Sequence, residues 1–175
     1  MSSIPAWNPL AWLLIGALTA TVSGASHAEG QNWRDLTSSR QLWDDEPITV
    51  LVSYGAGELT VGPTESDGLL YRMEMRYDED RVAPVADFDS ASRQLNLGLR
   101  GREGRGGRNT RSDARADIDL TDQIPIDLAL RFGAGKATID LSGLRLEALN
   151  LETGASETEV RIDEPNPIRA KDVTL

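Results

Sequence analysis

The sequence predicts an all-β protein and, within that class, a β-solenoid with Gly-Ala-Gly corners. Three observations point there. Apolar and polar residues alternate with a period of two along most of the chain, no window of helical length carries a 3.6-residue apolar stripe, and one strand–corner–strand unit recurs 21 residues apart. A β-sandwich of similar hairpins is the alternative that the same alternation allows.

The chain has 175 residues, and the first 28 contain no Asp, Glu, Lys or Arg. Leu10 to Val22 is an uncharged run of 13 residues. A membrane span needs about 20 apolar residues, so this run fits the core of a secretory signal better. Ser26-His27-Ala28 supplies the small-x-small pattern of a processing site, although no Lys or Arg precedes the run. Residues 1–28 are therefore read as a signal peptide cleaved after Ala28, with a retained N-terminal anchor as the alternative. Cleavage removes His27, the only histidine, and the chain has no cysteine. Such a mature chain has no Ser-His-Asp triad, no His base, no imidazole or thiolate metal site and no disulfide.

Residues 29–47 form a polar lead-in, read as a short helix or an extended stretch, with Trp33 and Trp43 as caps on the first core layer. The solenoid is assigned to residues 48–175. Its first alternation sets Ile48, Val50 and Val52 against Thr49, Leu51 and Ser53. The second sets Tyr71, Met73, Met75 and Tyr77 against Leu70, Arg72, Glu74 and Arg76. Leu95, Leu97 and Leu99 form a third, followed by Ile118 with Leu120, then Ile124 to Leu130 on even numbers. Ile139 with Leu141 and Val160 with Ile162 complete the series.

The repeated unit is clearest where LALRFGAGKATIDL (Leu128 to Leu141) is laid on LNLETGASETEVRI (Leu149 to Ile162). Gly133-Ala134-Gly135 meets Gly154-Ala155-Ser156, and Gly55-Ala56-Gly57 is an earlier copy. Glycine turns the chain at positive φ, and a small neighbour lets successive corners stack closely. One such unit cannot bury its apolar side alone, whereas stacked units share a core. Gly143–Leu151 aligns in turn with Pro167–Leu175, where the next corner would follow. The predicted solenoid thus ends on an incomplete coil, which implies a cap, a partner or a further coil.

Arg100 to Asp117 differs from its surroundings. It holds Arg100, Arg102, Arg105, Arg108, Arg111 and Arg115 with four glycines and little that is apolar. We read it as a mobile hairpin loop projecting from the solenoid and as a candidate anion-binding site for phosphate, acidic glycan or anionic headgroups. Its local charge is +3 on a chain of net charge −10. That overall balance argues against nucleic acid as a partner. The acidic clusters Asp44-Asp45-Glu46, Asp78-Glu79-Asp80 and Asp117, Asp119 with Asp122 have neither EF-hand nor nonapeptide calcium spacing, and read as solvated charges. Gly133-Ala134-Gly135-Lys136 leads into a strand and lacks the Lys-Ser/Thr of a phosphate loop.

The corners, the phrase IDLSGLRLEALNLETGAS (Ile139 to Ser156) and Pro165-Asn166-Pro167 together resemble bacterial toast-rack domains. These are related to the C-terminal domain of LiaF-type regulators and to adhesin head domains of auto-transporter type. The resemblance covers roughly residues 48–175. It implies a right-handed β-solenoid in exported or membrane-tethered proteins and no established catalytic residues. LiaF-type regulators would add envelope-stress signalling beside transmembrane helices, but this chain lacks multiple spans.

The expectation is an exported, non-catalytic binding or scaffold module of the bacterial envelope, in the periplasm or outside the cell. It needs no cofactor and no metal, and its partner would be an envelope protein or glycan; membrane contact requires that the N-terminal segment be retained. A tethered envelope-stress regulator and a carbohydrate-active enzyme are the other two readings. The enzyme fits poorly, since acids do not recur at matching coil positions: Lys136 aligns with Glu157 and Asp140 with Arg161.

Overall fold

The structure, a computed structural model, describes residues 31–102 and 113–175. The predicted signal peptide with Ala28, and Arg105, Arg108 and Arg111, lie outside the described residues. Among the described residues there are nine strands and no helix. They are β1 (Trp33–Gln41), β2 (Ile48–Pro63), β3 (Leu69–Asp78), β4 (Val82–Asp89), β5 (Gln94–Gly101), β6 (Arg115–Leu120), β7 (Ile126–Asp140), β8 (Leu146–Arg161) and β9 (Asp172–Thr174).

All nine belong to one sheet, in the order β1-β3-β6-β2-β7-β8-β9, with β5 also pairing β2 and β4 pairing β5. The ladders of β2 with β5, β6 and β7, of β7 with β8, and of β8 with β9 are all parallel. Only β1–β3, β3–β6 and β4–β5 are antiparallel. Two facing antiparallel sheets, the sandwich alternative, would not produce this central parallel stack. The register follows the sequence repeat: Leu128 lies beside Leu149 and Ile139 beside Val160, and further on Leu149 lies beside Val173.

β2 and β7 each bury even-numbered residues before their glycines and odd-numbered ones after them. In β2 these are Ile48, Val50, Val52 and Tyr54, then Leu59 and Val61; in β7 they are Ile126 to Phe132, then Ala137 and Ile139. On a flat strand such a switch would send the second set to the opposite face. Both sets belong to one core cluster, so the chain bends at the glycines and its two halves look at the same interior. Columns of side chains cross the strands there. Met73, Ile118, Val61, Ile139 and Val160 make one, Leu95, Val50, Leu128, Leu149 and Val173 another.

The lead-in is extended: β1 runs antiparallel to β3 at the edge of the sheet. Trp33 packs against the core with Arg76 above its ring, while Trp43 is exposed, edge-on to Phe88 and covered by Arg40. β4 has no alternating signal in the sequence and contains Pro84, which a strand tolerates where it pairs on one side only. Where β9 stops, the core is uncovered: Val160 is 39% exposed and Ile162 62%.

Candidate functional site

The glycine corners stack directly on one another. Ala56 lies beside Ala134 and Ala134 beside Ala155, with Gly57 beside Gly135 and Gly135 beside Ser156. Gly57 and Gly135 adopt φ of 126° and 120°, outside the range that L side chains favour. A Cβ on Gly133 would collide with the carbonyl oxygen of Gly55, and one on Gly154 with that of Gly133. Gly55 faces open space instead. Beneath the column the rings of Tyr54 and Phe132 stack, 6.1 Å apart. Burial pushes the Tyr54 hydroxyl well above its ordinary range, with Asp117 and Glu58 adding to the effect.

β5 pairs with residues 49–53 of β2 and β6 with residues 58–63, so both run parallel to β2 along the same edge. On that edge of β2, residues 54–57 have no ladder partner among the described residues. The two strands that flank the Arg-rich segment therefore do not pair with each other as the hairpin that the sequence suggested; residues 103–112 themselves lie outside the described residues. The hairpin is instead β4–β5. A cavity of about 220 Å³ lies at this level. The corner residues Gly55 and Ala56 line it, with Leu99 and Gly101 of β5, Asp113 before β6, and Arg81 beyond β3.

The arginines flanking the segment are held differently. The Arg102 amide donates to the carbonyl of Arg81 at 2.9 Å, and Arg100 lies opposite Ala83; both side chains are exposed. Arg81 reaches Asp78 at 3.3 Å, and the buried Asp78 carboxylate also accepts from the backbone amides of Asn32 and Asp80. Arg115 is a strand residue of β6, paired with Asp117 at 3.1 Å, which with Glu58 nearby strengthens its hold on its proton. Of the six arginines singled out in the sequence, Arg100 and Arg102 flank the cavity-lining Gly101 without lining the cavity themselves, and Arg115 lies in the ladder of β6. Arg81, which a sequence search for Arg-rich runs passes over because it stands alone, does line the cavity.

The acidic clusters are occupied by partners from elsewhere in the chain. Arg93, at φ 54°, clasps Asp44 with two hydrogen bonds of 2.6 and 3.0 Å and donates to the carbonyls of Glu46 and Pro47. This holds the Asp44 carboxyl below its usual range. Glu79 is held down in the same way by Arg34, at 2.7 Å. Asp119 goes the other way: desolvation raises it, against the pull of Arg72. No cluster of three potential metal ligands occurs among the described residues.

From β6 to β8 the outer face carries charge in alternation: across β6, β2, β7 and β8 one row reads Arg115, Glu58, Lys136, Glu157, while Arg76 of β3 sets a like charge beside Arg115. The mismatch of Lys136 with Glu157 and of Asp140 with Arg161 seen in the sequence is thus opposite-charge stacking between neighbouring strands. Arg131 and Glu152 pair across the same two strands at 3.2 Å.

Comparison with known proteins adds three findings. The family model described as the N-terminal domain of toast_rack, DUF2154, matches residues 26–170. A solved candidate cell adhesion protein from Clostridium sporogenes superposes with a TM-score of 0.68 at 18% identity, over 81% of this chain and 68% of that one. A candidate adhesin from Parabacteroides merdae aligns over 74% of this chain and 56% of that one, with a TM-score of 0.37 and 14% identity. No curated protein sequence matches the chain.

Proposed function

The chain belongs to the toast-rack N-terminal domain family, and from that premise we propose that it is an exported, non-catalytic binding module of the bacterial cell envelope. Its stack is a right-handed β-solenoid with the Gly-Ala-Gly column as its corner; nearly all crossovers between parallel strands have that hand. The family match begins at residue 26, close to the expected cleavage after Ala28, which supports 1–28 as the signal peptide. The described cell adhesion neighbour supports a role in contact rather than turnover.

The observation that carries the binding reading is the cavity beside residues 54–57 of β2, which have no ladder partner on that edge among the described residues. Arg81 and Gly101 of β5 line it, Arg100 and Arg102 flank that glycine, and the arginine-rich sequence follows directly. Guanidinium groups match carboxylate and phosphate oxygens through paired hydrogen bonds. The cavity, at about 220 Å³, is smaller than ordinary ligand clefts of about 300–1,000 Å³ and suits a single acidic group of a larger envelope component.

The test is sedimentation of the mature chain with envelope fractions, acidic glycan and anionic vesicles. Deleting residues 104–112 together with Arg100→Ala and Arg102→Ala should abolish binding to one of the three. Unchanged binding to all of them ends the anion reading. N-terminal sequencing of the exported protein should give Glu29 as the first residue; a start at Met1 or Ser2 would favour the tethered regulator.

A further inference from the structure

Trp43 is the largest of the apolar side chains left exposed among the described residues, at 59%. The chain is pinned on both sides of it: the Leu42 amide donates to the carbonyl of Gly68 at 2.8 Å, and Asp44 is clasped by Arg93. The indole stands edge-on to Phe88, with ring centres 6.2 Å apart, and the Arg40 guanidinium fills the corner between the two rings, 4.3 Å from one centre and 4.5 Å from the other. No carboxylate pairs with Arg40 among the described residues, and its Nε is buried without a hydrogen-bond partner. A buried N–H in that state costs stability, and two ring faces hold it there against the cost. The indole is thus braced on one face and open on the other.

What this platform suits follows from its surroundings. Asp44, Asp45 and Glu46 follow Trp43, and Asp87 and Asp89 flank Phe88, five acids against Arg40 and Arg93. That balance repels an anionic ligand or membrane surface. A cation finds the corner between the rings already taken by Arg40. The crevice beneath Trp43 and Phe88, closed off by Ile48 and Leu70, holds about 10 Å³, which is room for one water and not for an acyl chain. A neutral sugar ring meets none of these obstacles. Its C–H face lies well against the negative face of an aromatic ring. Its hydroxyls both donate and accept, which suits the exposed Gln41 amide and the exposed Asp45 carboxylate, the latter without a partner among the described residues.

We propose that Trp43, braced by Arg40 and Phe88, is a stacking platform for a neutral saccharide, a second binding site independent of the cavity assigned to an acidic group. The two sites lie at opposite ends of the same strands. Trp33, at the start of β1, lines the cavity, whereas Trp43 follows the end of β1. The nine residues of β1 separate them by roughly 25 Å.

Calorimetric titration of the mature chain with neutral tetrasaccharides of glucose, mannose and N-acetylglucosamine tests this, with tryptophan emission followed in parallel and a galacturonate tetrasaccharide as the acidic comparison. At least one neutral sugar should bind, shift the emission, and do so equally at low and high salt. Trp43→Leu keeps an apolar side chain without the ring and should weaken that binding tenfold or more, with circular dichroism confirming the fold. Deleting residues 104–112 together with Arg100→Ala and Arg102→Ala should leave it unchanged, so loss of the acidic-group site and loss of this one are read separately. The proposal is overturned if no neutral sugar binds at about 10 mM, or if Trp43→Leu binds as well as wild type. It is equally overturned if only the galacturonate binds, or if the emission shifts on concentrating the protein alone, which would seat a second copy on the ring.

Discussion

The glycines of the corner column separate two demands that look alike in sequence. Gly133 and Gly55 occupy equivalent repeat positions, but only Gly133 has the carbonyl of a preceding corner against it. Gly133→Ala should therefore destabilise the domain by about 2–4 kcal/mol, since the backbone must move to relieve the overlap. Gly55→Ala should stay within about 1 kcal/mol, and urea unfolding of the two variants measures the contrast. The repeat alignment shows which residues are equivalent; it says nothing of which coil has a neighbour. Arg93 was similarly hidden in the sequence, because its partners Asp44 and Glu46 lie far away in the chain. Asp44 and Glu79 have lowered folded-state values, so their contribution is complete above the ordinary carboxylate range and is lost as pH falls through the lowered values. Thermal melts should show stability dropping on acidification in that window, and Asp44→Asn should make the drop shallower. Asp119, raised by desolvation, has the opposite sign: its ionisation costs stability as pH rises through the carboxylate range, so Asp119→Asn should raise the melting temperature at neutral pH.

Among the elements, those with strict alternation were legible and those without it were not. β2, β3, β5, β6, β7 and β8 each carry apolar residues at every second position over part of their length. β1, with only Trp33 and Leu36 apolar, and β4, whose apolar residues from Val82 to Ala86 run consecutively, are edge strands in which packing leaves no periodic trace. The Arg-rich segment shows the limit in another form. Composition suggested a hairpin loop, but the pairing of both flanking strands with β2, parallel and in succession, shows that they do not form a hairpin with each other. The charge row is where an element-scale prediction belongs. Lys136→Glu sets three acids side by side across β2, β7 and β8, and should cost up to about 1 kcal/mol at low salt. Denaturant titrations in high salt should shrink that difference, as screening demands.

For the molecule as a whole, every hydrogen-bonded ladder between β2, β7 and β8 runs along the stack, while the strands run across it. The two directions differ in mechanical strength. A force applied along a strand loads all the rungs of a ladder together in shear, whereas one applied along the stack peels them singly from its open end. A module of this design resists best when pulled parallel to its strands, and yields gradually when pulled end to end.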